Sequence, residues 1–466
     1  MRYGDDVPVP VRGGYAAQLG RLVVASINIS IVLPPPVEAV TIMRVLLISA
    51  NTEKLNMPTL PMGLGFVAAA ASASGRDVHF LDLLQAADAQ AAVEDALSRI
   101  GPEVIGISIR NVDDQTSAAP RFLLDGAKKL VATCKRASTA PVVLGGAGYS
   151  LFPEAALDYL HADMGIQGEG EDAFVAVLER LESHAPLSDV PGLFLRGKGL
   201  QAPRAYHAQL DDWPFPDPRL FDAALFQDPS YYLPFQTRRG CPLKCSYCAT
   251  AAIEGPHLRK HSPQVIVREL DRWRRAGFSR IFFVDNTFNL PPVYALQLCR
   301  LLSEARLGLN WRCILYPGSV TAELVEAMAR AGCAEVSLGF ESGNRQVLAG
   351  MRKHFAPEDV EHAARLLGNA GIRRMGFLLL GGPDETRASV LESLKWVDSL
   401  QLEMVKLTVG IRIYPYTRLA AIARAEGVVD RKDNLLRPRF YITRGLEDWL
   451  RQTVSDWAAR RSNWVL

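Results

Sequence analysis

The chain has 466 residues, which at about 150 residues per domain gives roughly three folding units, each able to bury a core without disulfide staples. Hydrophobic residues make up 48% and charged residues 22%, with 36 Gly and 29 Pro, a composition that excludes disorder, collagen and coiled coil. With 52 Lys and Arg against 50 Asp and Glu the net charge is +2, so there is no large cationic excess for nucleic acid or an anionic membrane, although a local basic patch stays open.

Residues 1–42 hold an apolar stretch, 22–33, closed by Pro34, Pro35 and Pro36, without a Lys/Arg-rich start. They are expected to form a poorly ordered extension, or to precede a true start at Met43. No apolar run reaches the roughly 18 residues of a membrane-spanning helix, so no membrane span is expected. Seven cysteines, an odd number, do not form a secreted disulfide framework and fit reduced thiols in the cytoplasm.

From 43 to 184 short apolar runs alternate with amphipathic stretches, which predicts parallel strands joined by crossover helices in a doubly wound, Rossmann-like α/β domain. The strands fall at 45–49, 78–81, 104–108, 142–144 and 164–166, and the helices near 63–74, 89–100, 119–136 and 171–181. Gly145, Gly146 and Gly148 follow the fourth strand, and Gly168 and Gly170 the fifth. Beyond strand ends of this kind, glycine lets backbone approach a ligand; it also serves ordinary turns. Residues 185–233, rich in Pro and aromatics and without a sustained period, read as a connector packed against both neighbours.

A second alternating series occupies 234–425, with strands at 235–237, 281–284, 312–316, 334–339, 375–380 and 405–413. Helices are expected near 263–276, 293–305, 322–331, 357–370 and 387–399. Six such units make a partial (β/α)6 TIM-type barrel, with its site in the loops at the carboxyl ends of the strands. The tail, 426–466, adds a small α-rich segment whose terminal amphipathic helix carries Trp449, Trp457 and Trp464 as core or interface anchors.

The segment Arg239-Gly-Cys-Pro-Leu-Lys-Cys-Ser-Tyr-Cys248 places three thiols at C-x3-C-x2-C spacing after the first barrel strand. Three soft ligands in one loop suit an iron–sulfur cluster with one iron left open, a zinc ion whose fourth ligand is His257 or His261, or a redox dithiol. The remaining thiols, Cys134, Cys299, Cys313 and Cys333, are scattered singly and read as core residues.

With Cys241, Cys245, Tyr247 and Cys248 matching C-x3-C-x-aromatic-C, the chain resembles the radical S-adenosylmethionine (SAM) superfamily. The resemblance implies a 4Fe–4S cluster on Cys241, Cys245 and Cys248 that reduces SAM to methionine and a 5′-deoxyadenosyl radical. It also implies SAM contacts from Tyr247, Asp285, Asn286, Glu341, Ser342, Gly381 and Pro415, the Gly381 segment being Gly376-Phe-Leu-Leu-Leu-Gly-Gly-Pro-Asp-Glu-Thr386. A doubly wound domain ahead of such a barrel resembles the cobalamin-binding class of the superfamily. That class places the corrin and its nucleotide tail on loops whose counterparts here are Asn51, Arg110, Gly145, Gly146, Gly148, Gly168, Glu169 and Gly170. It departs in one respect: many such domains carry D-x-H-x-x-G after the first strand, whereas Ala50-Asn-Thr-Glu-Lys-Leu-Asn-Met-Pro-Thr59 has no His. The lower cobalt face is then bound by water, left unliganded or covered by a side chain of the 51–62 or 110–114 loops. A domain of this shape kept only for packing is the competing reading.

The resemblance implies methyl transfer to an unactivated carbon of a small molecule, supported by a flavodoxin- or ferredoxin-like electron donor. Radical oxidation, cyclisation or ring rearrangement without methyl transfer, and a non-catalytic iron–sulfur or corrinoid sensor, are the alternatives. Methylthiotransferases are set aside because the first domain has only Cys134 and the tail is not a basic RNA-binding domain. Arg437, Arg439 and Tyr441 are the expected substrate-side residues.

Overall fold

The protein is described here by a computed structural model covering residues 42–54 and 58–466. The expectation for 1–42 therefore lies outside the described residues except at Ile42, as does part of the 51–62 loop.

The first unit alternates β1 (Arg44–Ser49), α1 (Met62–Ala73), β2 (Asp77–Asp82), α2 (Ala89–Ile100), β3 (Val104–Ser108), α3 (Leu124–Ala137) and β4 (Val142–Gly145). Two short helices follow, α4 (Ala147–Leu151) and α5 (Pro153–Leu160), then β5 (Met164–Ile166) and α6 (Glu171–Glu182). The strands are parallel in the order β2-β1-β3-β4-β5, so the chain reverses its winding between β1 and β3 and the loops after those strands part to leave a crevice. Local chemistry sets the ends of the helices. Asp88 caps α2 by accepting from the Gln90 and Ala91 N–H groups, and Gly101 closes it in the left-handed region at φ 57°. Residues 119–123, expected in α3, instead belong to a loop gathered by Asp114, which accepts from the Thr116 and Arg121 N–H groups.

β6 (Leu193–Leu195) and β7 (Gly199–Leu200) fall in the stretch expected to be a connector; they extend the first sheet antiparallel from β5. The rest of that stretch packs as expected, with Phe215 against both Phe66 of α1 and Phe235.

The second unit begins with β8 (Leu233–Phe235), β9 (Arg238–Arg239), α7 (Thr250–Glu254) and β10 (Arg259–Lys260). The alternation continues through α8 (Pro263–Arg275), β11 (Arg280–Phe283), α9 (Pro292–Ala305), β12 (Asn310–Leu315), α10 (Ala322–Arg330) and β13 (Cys333–Glu341). After α11 (Arg345–Gly350) and α12 (Pro357–Asn369) come β14 (Arg373–Leu380), α13 (Arg387–Ser399) and β15 (Met404–Val409). The chain ends in β16 (Ile411–Arg412), α14 (Arg418–Ala425), β17 (Phe440–Tyr441), α15 (Glu447–Ala459) and β18 (Trp464–Val465).

The parallel order β8-β11-β12-β13-β14-β15-β18 has a seventh strand beside the six expected. Trp464, expected on the terminal helix, supplies that strand and pairs with Val405. The expected sixth strand breaks at Gly410, and β16 turns away to pair antiparallel with β17.

Of the three apolar bodies among the described residues, one packs α1 and α6 onto the first sheet and two bear on the barrel. Of those two, one fills the barrel around Trp273, Phe283, Phe288 and Trp311. The other runs from Leu46, Ile48 and Ile107 of the first sheet to Val347, Met351, Ile411, Ile413 and Leu419 on the barrel rim. Each such side chain removed from water contributes about 1.5–3 kcal/mol, so the two units meet through a core and not through a wet hinge. Across this contact Arg412 Nε donates to Asp113 Oδ2 at 2.9 Å, its Nη1 donates to the Ile413 carbonyl at 2.7 Å, and Nη2 donates to the Leu435 carbonyl at 3.0 Å. The two side chains are 4% and 1% exposed. R412M, which strands the Asp113 carboxylate, is expected to lose about 3–5 kcal/mol of stability, and the double variant R412M/D113N to recover part of it. Urea unfolding of the three proteins checks this, and equal loss in single and double variants would refute it.

Candidate functional site

A cavity of about 530 Å³ opens at the crevice where the first sheet reverses. Its walls come from Ser49 and Asn51 after β1, Ser108 and Arg110 after β3, Gly145 and Gly146 after β4, and Gly168, Glu169 and Gly170 after β5. Leu47, Phe66, Val143 and Phe174 line its apolar floor, and Gln236, Arg239, Ile253 and Glu254 close it from the barrel side. Seven of the eight residues expected at a cobalamin site thus border one space. The exception is Gly148, whose Cβ would lie 2.9 Å from the Arg110 carbonyl; it packs the fourth-strand loop onto the third. Gly146 has φ 95°, and a Cβ there would lie 2.6 Å from the Ile109 carbonyl oxygen, so this turn requires glycine. A Cβ on Gly63 or Gly145 meets nothing within 4 Å, and both residues border the cavity, so a side chain at either position would take up its volume. Burial holds the Arg110 guanidinium below its usual pKa. Among the described residues no histidine borders the cavity.

Glu169 is otherwise engaged. Its two oxygens accept from Arg259 Nη1 at 2.6 and 2.7 Å, and it also receives Arg239 Nη1 at 3.4 Å and the His207 N–H at 3.2 Å. Arg239 Nη2 donates to Glu171 Oε1 at 2.6 Å, and its guanidinium lies over the Trp213 and Phe66 rings. Glu169 thus stands on the cavity wall and at the same time braces the two units as an ion pair.

Arg239 leads into the cysteine loop through Gly240, whose Cβ would lie 2.1 Å from the His257 carbonyl oxygen and whose φ is 90°. The loop is held by the Cys241 N–H to the Gly255 carbonyl at 3.1 Å, the Ser246 N–H to the Met351 carbonyl at 3.0 Å, and the Leu419 N–H to the Ser246 carbonyl at 2.9 Å. All three thiols are free, Cys241 and Cys245 half-buried and Cys248 exposed. Burial pushes the Cys241 thiol up to about 11, and the neighbouring Cys248 and Cys245 sulfurs push the same way. A metal that takes all three as thiolates displaces their protons. Among the described residues no three His, Cys, Asp or Glu side chains meet at the spacing of a single ion, and His261 bonds to Asp211 Oδ1 at 3.0 Å. A four-iron cluster is a larger body, and its three sulfur ligands stand further apart than those of one ion.

Around the loop, Tyr247 OH donates to Glu341 Oε1 at 2.9 Å, and the same oxygen accepts from Lys353 Nζ at 3.2 Å. Cys248 Sγ lies 3.2 Å from Thr250 Oγ1, which donates to Asn286 Oδ1 at 3.3 Å. Asn286 Nδ2 in turn donates to Glu254 Oε2 at 2.8 Å. Glu254 also accepts from the Gly240 N–H at 3.0 Å and from Gln236 Nε2 at 2.8 Å, while burial raises its pKa. The structure therefore brings Tyr247, Asn286 and Glu341 to the cysteine loop.

Two of the residues expected to contact SAM are bonded within the protein. Asp285, 0% exposed, takes the Thr237 and Arg238 N–H groups on Oδ1 and the Thr237 hydroxyl on Oδ2, so it fixes the turn entering the loop. Ser342, also 0% exposed, bonds Ser393 Oγ at 3.1 Å and accepts the Asn344 N–H. Gly381, at φ 97°, donates its N–H to Glu385 and accepts from the Thr443 N–H at 2.9 Å; Pro415 precedes Thr417, the cap of α14. None of Arg437, Arg439 and Tyr441 borders the cavity: Arg437 covers the Phe122 ring, Arg439 pairs with Asp433, and Tyr441 OH donates to Glu426. Lys353, Glu254, Thr250 and the Arg239 brace carry no spacing signature and were not visible in the sequence.

A family model of the radical SAM superfamily matches residues 236–397, and one of the B12 binding domain matches residues 48–178. The chain is 25% identical over 401 residues, 83% of this chain and 84% of the other, to an uncharacterized methyltransferase of Pyrococcus horikoshii. It is 25% identical over 437 residues, 79% of this chain and 73% of the other, to the tryptophan 2-C-methyltransferase of Streptomyces laurentii. The fold is similar to that of the radical SAM methyltransferase TsrM of Kitasatospora setae, solved with cobalamin and a 4Fe–4S cluster bound. The TM-score is 0.81 at 20% identity, with 91% of each chain covered.

The Gly381 loop generates a pH prediction. Glu385 is 2% exposed, its Oε2 takes the Gly381 and Gly382 N–H groups, and its Oε1 has no hydrogen-bond partner. Burial pushes the carboxyl up to about 7 from an ordinary 4.5, against those two N–H donors. The folded chain thus holds this proton more tightly than the unfolded chain. Stability falls as pH rises from about 4.5 to about 7, by an amount on the order of 3 kcal/mol. Urea midpoints taken across that window should show the decline in the wild type and a flatter line in E385Q; parallel lines would contradict it.

Proposed function

Because this chain is a radical SAM enzyme with a B12 binding domain ahead of its barrel, we propose that it is a cobalamin-dependent methyltransferase acting on an unactivated carbon of a small molecule. One observation carries the reading: the roughly 530 Å³ cavity and the cysteine loop share a wall, with Glu254 bordering the first and reaching Cys248 through Asn286 and Thr250. The methyltransferases to which the chain is similar across most of its length support the same reading.

The residues present suit the groups. Three free thiols in one loop match a cluster that leaves one iron open, and the glycine-lined crevice with its apolar floor matches a corrin with a buried nucleotide tail. When bound, the cluster and SAM supply a 5′-deoxyadenosyl radical, and cobalamin supplies the methyl carrier.

The chain's own part is to hold, orient and shield. Cys241, Cys245 and Cys248 bind the cluster, while Tyr247, Asn286, Glu341, Gly381 and Pro415 border SAM. Asn51, Arg110, Gly145, Gly146, Gly168 and Gly170 bound the cobalamin, with β7 and not residue 184 ending that domain. Apolar side chains such as Phe66, Phe174, Phe215 and Phe235 exclude water from the carrier's side of the wall. An external one-electron donor of the flavodoxin or ferredoxin kind reduces the cluster.

Anaerobic reconstitution with iron, sulfide, cobalamin, SAM and dithionite tests the reading. Deoxyadenosine and methionine should form, C241A, C245A and C248A should each abolish them, and a turned-over substrate should gain one CH2. A product with unchanged carbon count overturns methyl transfer. In G145L, corrin should wash off in gel filtration while iron uptake stays at the wild-type level; retention of corrin would mean that the cavity is not its site.

A further inference from the structure

The turn after α11 reaches the cysteine loop once directly and once through Glu341. Its Met351 carbonyl accepts the Ser246 N–H at 3.0 Å, and two residues on Lys353 Nζ reaches Glu341 Oε1 at 3.2 Å, the oxygen that also takes the Tyr247 hydroxyl. Tyr247 stands between Cys245 and Cys248, and the Lys353 ammonium lies 5.4 Å from its ring centroid. The Lys353 side chain is 9% exposed and that of Glu341 13%, so solvent screens this charge poorly. The Lys353 N–H closes the turn on the Leu348 carbonyl at 2.9 Å, which fixes the stem from which the side chain reaches.

We propose that Lys353 is a positioning residue for the cluster: it clamps Glu341 and Tyr247 against the cysteine loop and sets a fixed positive charge beside the sulfur ligands. The inference rests on the cluster assignment above and adds a residue to it. Adding an electron to a site already carrying three thiolates is opposed by their charge, and a buried ammonium beside them offsets that opposition. Without Lys353 the Glu341 carboxylate faces the cluster uncompensated, which opposes reduction further.

The test is a redox titration of the reconstituted cluster followed by electron paramagnetic resonance, without SAM, on wild type, K353M, K353Q and K353R. With iron content at the wild-type level, K353M and K353Q should show about a tenfold lower ratio of reduced to oxidised cluster at a given solution potential, a shift of about 59 mV to more negative potential. K353R should stay close to wild type. An unchanged midpoint in a fully loaded K353M or K353Q overturns the proposal. If K353M loads poorly, K353Q gives the same reading. Failure of the wild-type protein to take up iron and sulfide would overturn the cluster assignment itself, a separate result.

Discussion

Arg239 is the residue through which the two halves of the molecule are set against each other. Its guanidinium is taken by Glu171 at the head of α6 and by Glu169 in the loop before it, and it lies over Phe66 of α1 and Trp213 of the connector. Two residues later the chain becomes the cysteine loop. The position of the three thiols relative to the first sheet is therefore fixed by a planar, permanently charged fork held between carboxylates and aromatic faces, a geometry that lysine cannot reproduce. Arg259 completes the balance by pairing with Glu169, so two cations meet two carboxylates in a region almost closed to solvent. Losing any one of the four leaves the group with one buried charge uncompensated.

The cavity inherits its shape from this arrangement. The first sheet alone offers an open crevice, and the barrel supplies the lid through Gln236, Ile253 and Glu254. Each of these residues lies within the short stretch that also contains the cysteines. Enclosure of a large apolar-floored space and presentation of three thiols are thus two results of one folding event.

Most of the parallel strands were legible because each is built on a short apolar run; β3 and β5 and several helices begin and end where periodicity places them. Helices α4 and α5 were not, since Ala147–Leu151 follows a glycine-rich loop and is too short to carry a period. The strand at Trp464 was hidden by an amphipathic helix running almost up to it, and two-residue strands such as β16 and β17 exist only through their partners. At the site the three cysteines could be read from spacing, since ligand spacing is a chain property. Asp285 and Ser342 show the limit: a motif position specifies a side chain, but only packing shows that its acceptors are already filled by neighbouring N–H and O–H groups. Lys353 shows the converse, a residue twelve positions beyond Glu341 whose meaning appears only once the turn after α11 folds back.

Glu254 has one face on the cavity and, through Asn286 and Thr250, the other toward Cys248. The short helix α7 thus carries Thr250, beside Cys248 Sγ, at its first residue and Ile253 and Glu254, on the cavity wall, at its last two, so a substitution within these five residues bears on both compartments at once.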